Sequence, residues 1–348
     1  MPRPLPDVLP IRWPAGAAAP PPQTVAAVER AARILEGGGL VAIPTETVYG
    51  LAAVATDADA VARIFAAKGR PATNPLIVHV ADAAMARSLA AEWPDAAARL
   101  TAALWPGPLT VVVPRGPRIP DAVTAGGETV ALRCPGHPLT RLLLETLRAP
   151  LAAPSANRSL SVSPTTATHV LDSLGNRVDL ILDAGPCAHG IESTVVDCTV
   201  DPPLILRPGP VTATRLAEAL GAPVTADAAE HRAGPARAPG QLARHYAPQT
   251  PLELSAEATD RVAALLAAGR RVGWLTTTAD APETRRLAAS HDLVIVPMPA
   301  EPAAYAAMLY AALHALDKRE LATIVVDTPP DTDAWRAIRD RLTRAATA

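Results

Sequence analysis

Basic and amide side chains cluster between Lys68 and His79, in the segment KGRPATNPLIVH. Two prolines restrict the loop that carries Arg70 and Asn74, and a pre-organised loop loses little entropy when it binds a phosphate. Lys68 and Arg70 also fit the C-terminal end of a helix, where positive charge complements the helix dipole. The cluster therefore predicts either a phosphate site or a stabilised helix end.

Further polar groups follow or precede apolar segments, and α/β proteins assemble their ligand sites where strands end. Taken singly, a serine or threonine beside proline is typical of a turn, and an arginine is typical of the surface. A lone histidine such as His79 is more often structural, although its phase against Val78 and Val80 predicts that it faces away from their packed side. Together with the first cluster, these groups offer cations for an anion and hydroxyls for a polar small molecule. They are Thr47, Arg133, Ser155, Asn157, Ser163, Glu192, Ser193, Thr194 and Arg207.

Familiar catalytic and metal-binding patterns are missing from the sequence. It has no P-loop, GxSxG elbow, HExxH or CxxC pair, and its three cysteines have neither disulfide-framework nor zinc spacing. The net charge of the 348 residues is −2, which argues against a broad nucleic-acid surface but allows a local basic pocket. Only two of the 32 basic residues are lysines, Lys68 and Lys318. The remaining candidates for binding or catalysis are the basic and hydroxyl side chains described above.

Short helices and strands carry these groups, and many strands are followed directly by proline or glycine. The first predicted elements are a helix from Thr24, its N-cap, to Gly37, a strand at Leu40–Pro44, a polar turn at Thr45–Gly50 and a helix at Asp57–Ala67. Further predicted strands are Leu76–Val80, Leu109–Val113, Thr129–Arg133, Leu151–Ala153, Leu180–Asp183, Thr194–Asp197 and Leu204–Arg207. Strands this numerous, with helices between some of them, predict a large mixed α/β sheet in one domain over residues 20–222.

The second half of the chain changes character at residues 223–250, where hydrophobic periodicity disappears and a linker is predicted. Residues 251–348 then alternate strands with helices, which predicts a small parallel Rossmann-like α/β/α domain. It lacks the Gly-rich phosphate fingerprint, so dinucleotide binding is not expected. The predicted strands are Arg271–Thr276, Leu293–Pro297 and Leu321–Asp327, and the predicted helices are Ala256–Ala268, Pro302–Leu316 and Trp335–Ala346.

The sequence shows no targeting or membrane-spanning pattern. Residues 1–23 have no continuous apolar region, and no run of 18 or more apolar residues occurs. We therefore expect neither secretion nor a membrane span, and a cytoplasmic location.

Six ordered motifs over about residues 24–210 resemble the YrdC/YwlC family of threonylcarbamoyladenylate synthases. The segment HYAP that begins at His245, and the small domain after it, resemble the long two-domain branch of that family. The motifs are Pro44–Leu51 (PTETVYGL), Lys68–His79, Trp105–Thr110 (WPGPLT), Ala153–Asn157 (APSAN) with Ser163–Thr165 (SPT), Gly190–Thr194 (GIEST) and Leu206–Gly209 (LRPG).

The resemblance implies a twisted open α/β sheet with a positively charged concave face. It implies a nucleotidyltransferase that condenses L-threonine, bicarbonate or CO2, and ATP into threonylcarbamoyl-AMP and pyrophosphate. A partner transferase would then use the product to form N6-threonylcarbamoyladenosine (t6A) at position 37 of tRNA. Mg2+ would bridge the ATP phosphates with few protein ligands.

Roles for individual residues also follow from the resemblance. Lys68 and Arg70 match catalytic positions, with Lys68 facing the phosphates, and Arg133 would pair with the threonine carboxylate. The segment with His245 and Tyr246 would fold back over the nucleotide. The family usually has glycine near Leu160, so this loop is expected to be less flexible here. The L-threonine positions are Thr47, His79, Arg133, Ala153 through its backbone, and Ser193. The ATP positions are Arg70, Asn74, Thr129, Ser155, Asn157, Ser163, Arg207, His245 and Tyr246.

Two other functions are compatible with parts of the pattern. A basic concave face could bind RNA directly, although the net charge and the few aromatic residues near the motifs argue against it. A scaffolding protein with a dead site is the other alternative, and the intact Lys68, Arg70, Asn74 and Arg207 argue against that one. Pyrophosphate release that needs threonine and bicarbonate would separate the enzyme from both.

Overall fold

The computed structural model describes residues 4–13, 19–226 and 245–347, which form two compact units. The first unit has the bounds Met1–Ser159, Ser163–Ala188 and Glu192–Gln241, and the second Leu160–Val162, His189–Ile191 and Leu242–Ala348. Residues 227–244 of the predicted 223–250 linker lie outside the described residues. Within the described ranges, no helix is long and apolar enough to cross a membrane.

The first unit is built on a ten-stranded mixed sheet with the strand order β1-β8-β2-β3-β7-β4-β6-β5-β9-β10. Its strands are β1 (Asp7–Pro10), β2 (Val41–Ile43), β3 (Gly50–Val54), β4 (Ile77–His79), β5 (Leu109–Pro114), β6 (Thr129–Arg133), β7 (Leu151–Ala152), β8 (Leu180–Asp183), β9 (Thr194–Asp197) and β10 (Leu204–Arg207). Its helices are α1 (Pro22–Glu36), α2 (Ala58–Lys68), α3 (Ala83–Arg87), α4 (Asp95–Leu104), α5 (Asp121–Thr124), α6 (Pro138–Leu147), α7 (Ala167–Leu174) and α8 (Ala213–Leu220). The predicted large mixed α/β sheet is confirmed.

Local sequence fixes both ends of the helix α2, which carries Lys68. Asp57 caps the helix, because its carboxylate accepts the N–H groups of Asp59 and Ala60. Gly69 ends it in the left-handed conformation with φ 61°, which costs glycine no Cβ clash. The chain is therefore turned sharply between Lys68, the last residue of α2, and Arg70.

Two expectations about local structure are wrong. The helix α1 begins at Pro22, with Pro21 as the N-cap, so Thr24 is not the cap. Proline suits the first helical position because no N–H is needed there, and Thr24 instead lies buried in the first turn. The predicted turn Thr45–Gly50 also ends early, since Gly50 begins β3, a short alanine-rich strand that the spacing did not reveal.

The second unit is a four-stranded parallel sheet with the order β11-β14-β12-β13. Its strands are β11 (Leu252–Ser255), β12 (Val272–Thr276), β13 (Leu293–Pro297) and β14 (Thr323–Asp327). Its helices are α9 (Ala258–Ala267), α10 (Pro282–Leu287), α11 (Pro302–Asp317) and α12 (Arg336–Ala346). The predicted parallel α/β pattern is confirmed, and β11 is an additional strand that was not predicted.

Candidate active site

His79 and Arg133 lie side by side at the ends of two parallel strands. They are register partners in β4 and β6, so their side chains share one face of the sheet, and both residues are buried. The guanidinium of Arg133 reaches the turn after β2, where Nη1 donates to Oγ1 of Thr47 at 2.8 Å. The Thr47 hydroxyl is held in turn by Thr45, whose Oγ1 lies 2.8 Å away. Three of the predicted threonine-binding residues are therefore brought together.

Glu46 is a member of this cluster to which the sequence assigned no role. Its Oε1 lies 2.7 Å from Nη2 of Arg133, and both side chains are buried. The Nε of Arg133 donates to the carbonyl of Gly107 at 3.3 Å. Glu46 stands beside Thr47 in the PTET segment, which was the signal available, but only the fold brings it to a residue 87 positions away.

The charges of this cluster are set by burial and by Arg133. Burial alone would raise the pKa of Glu46, but the positive charge of Arg133 and a backbone N–H of Gly136 outweigh it and lower that pKa to about 2. Burial lowers the pKa of His79 to about 3, and the charge of Arg133 acts in the same direction. At neutral pH the cluster therefore holds a charged Glu46–Arg133 pair beside a neutral imidazole.

Ser193 and Arg207 connect the predicted threonine and ATP sides of the site. Nη2 of Arg207 donates to the carbonyl of Ser193 at 2.9 Å and contacts its hydroxyl at 3.1 Å. The same hydroxyl lies 2.8 Å from Oγ1 of Thr110, a residue of the WPGPLT motif that had no predicted role. A Cβ on Gly209 would lie 2.3 Å from the Thr194 nitrogen, so the LRPG motif needs glycine there for the backbones to approach.

Arg70 and Asn74 form a rigid loop at the start of β4. Nε and Nη2 of Arg70 donate to the carbonyls of Asn74 and Pro75 at 3.1 and 2.8 Å. Asn74 is buried, and its Nδ2 has no hydrogen-bond partner within the described part of the chain. An unsatisfied buried donor is costly, so this amide is suited to an acceptor on a ligand.

Lys68, Ser155 and Asn157 meet although 87 or more residues separate the lysine from the other two. The Lys68 ammonium donates to the carbonyls of Ser155 and Asn157. Burial and the nearby charge of Arg70 lower the pKa of Lys68 well below its ordinary value. That Lys68 faces the phosphates stays a prediction.

The other predicted residues of the first unit have distinct places. Ser163 donates to Oε1 of Glu192 at 2.6 Å. The N–H of Ala153 donates to the carbonyl of Ile77 at 3.0 Å. Thr129 lies four residues before Arg133 in β6, about 13 Å along the strand, so it belongs to the end where β4 begins and not to the Arg133 cluster.

A buried aliphatic cluster lies between the two polar ends of this face. Ile77 and Ala131 precede His79 and Arg133 by two positions and therefore point to the same side of the sheet. They pack with four further aliphatic residues of β5, β9 and β10. The six are Ile77, Val112, Ala131, Val195, Leu204 and Leu206.

His245 and Tyr246 are described as parts of the second unit. Their rings lie 3.9 Å apart, and Tyr246 also stacks on Tyr310 with centroids 6.0 Å apart. The guanidinium of Arg341 lies 5.0 Å from the Tyr246 ring centre. No sequence pattern connected Tyr310 and Arg341 with Tyr246, because they lie 64 and 95 residues after it, in α11 and α12. The nucleotide-covering role of His245 and Tyr246 stays a prediction.

The described residues contain no group of three or more His, Cys, Asp or Glu side chains that could hold a metal ion. Ligation by ATP phosphates, with few protein ligands, stays a prediction.

Comparisons with known protein families place both halves of the chain. The family described as "Telomere recombination" (Sua5, YciO and YrdC) matches residues 33–209, and "Threonylcarbamoyl-AMP synthase, C-terminal domain" matches residues 211–347. A threonylcarbamoyl-AMP synthase of Bacillus subtilis is 41% identical over 327 residues, covering 92% of each chain. This chain belongs to the threonylcarbamoyl-AMP synthase family.

Other family members agree in sequence and in structure. The threonylcarbamoyl-AMP synthase of Pyrococcus abyssi is 46% identical over 219 residues, which cover 63% of this chain and 64% of that relative. The crystal structure of P. abyssi Sua5 complexed with L-threonine has a TM-score of 0.85 and 34% identity, covering 98% of this chain and 97% of that one. The fold is thus that of a threonylcarbamoyl-AMP synthase across both units.

One departure from the family pattern has a structural consequence. Leu160, near which the family usually has glycine, has φ +71° and is 41% exposed. This left-handed conformation strains a residue with a Cβ. The loop is therefore held in a glycine-like conformation by a residue that does not favour it.

Proposed function

We propose that this chain is an L-threonylcarbamoyladenylate synthase that condenses L-threonine, bicarbonate or CO2, and ATP into threonylcarbamoyl-AMP and pyrophosphate. The observation that carries the proposal is the Arg133 cluster, in which a buried arginine is held by Thr47 and Glu46 beside a neutral His79. The product would serve t6A formation at position 37 of tRNA through a partner transferase. Family membership and the threonine-bound structure of the P. abyssi relative support this function.

The threonine carboxylate is assigned to Arg133. A guanidinium has five N–H groups, and three of them face Gly107, Thr47 and Glu46. Two N–H groups remain, one on each terminal nitrogen, which suits a carboxylate. The neutral His79 beside them can exchange a hydrogen bond with the substrate without adding a second positive charge.

The nucleotide is assigned to the loops around Arg70 and Arg207. Arg70, the unpartnered Nδ2 of Asn74, the hydroxyl of Ser155 and Arg207 offer donors for phosphate and ribose oxygens. The Ser163 hydroxyl donates to Glu192, so it can serve the nucleotide only as an acceptor. Arg207 contacts Ser193 directly, so the phosphate and threonine ligands would be neighbours. Thr129 begins β6 at the end of the sheet where β4 begins, and Arg70 donates to the carbonyl of Pro75, just before β4.

The reaction needs positioning more than covalent catalysis. The amine of threonine adds to bicarbonate with loss of water, or to CO2 with loss of a proton, and gives a carbamate. A carbamate oxygen then forms a bond to the α-phosphorus as the bond to pyrophosphate breaks. Holding the reactants at attack distance can supply about 7–11 kcal/mol, and fixed arginine charges stabilise the developing phosphate charge.

The remaining parts of the proposal concern the surroundings of the reaction. The enzyme is assigned to the nucleotidyltransferases, with Mg2+ held by the ATP phosphates, where it would neutralise phosphate charge. A cytoplasmic location follows from its tRNA-modifying role. Direct tRNA binding is not part of the proposal, because the net charge of −2 and the few aromatic residues near the motifs argue against a broad RNA surface.

The test is pyrophosphate release by the purified chain in the presence of ATP, L-threonine and bicarbonate. We expect release only when all three are present, together with a product of the mass of threonylcarbamoyl-AMP. Arg133→Lys should raise the KM for threonine at least tenfold and leave the KM for ATP nearly unchanged, since it removes two-point carboxylate binding. Salt-sensitive RNA binding without turnover would contradict the proposal and favour an RNA-binding protein.

A further inference from the structure

All three N–H donors of the Lys68 ammonium face oxygens of the loop that follows β7. Its ammonium donates to the carbonyls of Ser155 and Asn157, and the amide oxygen of Asn157 lies 3.4 Å from Nζ. An ammonium has three N–H donors, and three protein oxygens surround this one. Lys68 is 3% exposed. In this arrangement no donor is left for a phosphate.

The main chain of Lys68 binds the same loop. The N–H of Ser159 donates to the Lys68 carbonyl at 2.9 Å. Side chain and backbone of one residue therefore contact the loop at residues 155, 157 and 159. On its other side, the N–H of Ala156 donates to the carbonyl of Tyr49 at 2.8 Å. The conformation of this loop depends on contacts in which Lys68 supplies four of the bonds.

The cost of burying the Lys68 ammonium indicates that these hydrogen bonds stabilise the loop. A buried ammonium is costly unless it is hydrogen-bonded, and here its bonds are to neutral carbonyl oxygens. Loss of the ammonium would leave three acceptors without this donor, two of them in fully buried contacts, so the loop would change conformation. Because Lys68 ends α2 and Gly69 turns the chain into Arg70, the same residue also joins this loop to the arginine loop.

We propose that Lys68 is a positioning residue that holds residues 155–159 in their nucleotide-binding conformation and does not itself bind phosphate. The inference rests on the proposed function, since Ser155 and Asn157 are assigned to the nucleotide there. It differs from the role that the family resemblance implied for Lys68.

Binding of ATP and of adenosine to full-length Lys68→Met separates the two roles. Adenosine has no phosphate, so a positioning residue affects both ligands, and we expect both affinities to fall at least tenfold by a similar factor. Loss of ATP affinity with unchanged adenosine affinity would show a phosphate contact and overturn the proposal. Lys318→Met, the same substitution at the exposed lysine that follows α11, should leave both affinities unchanged.

A charge-preserving variant keeps the test decisive if Lys68→Met folds poorly. Lys68→Arg retains the positive charge but cannot place three donors on the same oxygens. We expect it to lose affinity for both ligands as Lys68→Met does, whereas retained ATP binding in a folded Lys68→Arg variant would favour a charge role and contradict the proposal.

Hydrogen exchange without ligand tests the loop itself. In either folded variant, the amides of Ala156 and Ser159 should exchange at least tenfold faster, while those of Val130 and Leu132 in β6 keep their protection. Unchanged exchange at residues 156 and 159 would overturn the inference. This readout is independent of the proposed function, which fails separately if the wild-type chain binds no ATP.

Discussion

Glu46 and Arg133 form a buried ion pair, with 2.7 Å between Oε1 and Nη2. Arg133 ends β6, where it is the register partner of His79 in β4. Both side chains lose water, and a pair of this kind is costly to break because it leaves one charge buried alone. The pair also orients the guanidinium that is assigned to the threonine carboxylate. Stability and the proposed threonine binding would therefore be linked at Arg133.

Acid should weaken the fold through Glu46. Its folded pKa of about 2 lies below the ordinary value of 4.5, so its stabilising contribution is present above pH 4.5 and is lost as the pH falls through 2. The shift corresponds to about 3 kcal/mol. Urea unfolding at pH 5 and pH 3 measures the part of this free energy that is lost over that range, and Glu46→Gln should show a smaller difference between the two. An equal difference in that variant would contradict the assignment.

His79 should add acid sensitivity at higher pH. Its folded pKa of about 3 is lowered from 6.5, so the unfolded chain binds the proton more readily between these values. The contribution of the neutral His79 to the free energy of unfolding is therefore full above pH 6.5 and is lost as the pH falls toward 3. His79→Gln, which cannot be protonated, should flatten the change in unfolding midpoint between pH 7 and pH 5. A variant as pH-dependent as wild type would count against the buried neutral imidazole.

Thr110 should tune threonine binding although it is not assigned to a substrate. Its hydroxyl lies 2.8 Å from that of Ser193, and a lost hydrogen bond of this kind costs about 1 kcal/mol, or roughly fivefold in binding. Thr110→Val should raise the KM for L-threonine by about that factor and change the KM for ATP less. Thr110→Ser, which keeps the hydroxyl, is the matched control and should resemble wild type.

The Leu160→Gly variant of the protein should unfold at a higher temperature than the Leu160→Ala variant. At φ +71° any residue with a Cβ is strained by roughly 1–2 kcal/mol, while alanine relieves none of this. The carbonyl of Leu160 accepts the N–H of Ala247 at 3.0 Å within the second unit, so the conformation should persist in both variants. Thermal unfolding should place Leu160→Gly above Leu160→Ala; the reverse order would show that the conformation is not maintained.

Local sequence determined many element bounds in this protein. The bounds of β6, β8, β9 and β10 agree with the prediction, because each is an apolar run closed by a turn residue. The cap at Asp57 and the stop at Gly69 were equally local. Signals of this kind need only neighbouring residues, so they can be read without the fold. The family motifs added a set of candidate site residues, again from short segments.

Tertiary structure alone decided which of those residues meet. The sheet places β4 between β7 and β6 and β3 beside β7, and no local pattern specifies such neighbours, because strand pairing depends on how the whole chain buries its apolar faces. That order sets His79 against Arg133, brings Glu46 to the guanidinium, and encloses Lys68 in the carbonyls of residues 155 and 157. The sequence thus determined the chemical groups of the site, and the long-range pairing of the sheet determined their partners, their burial and their charge.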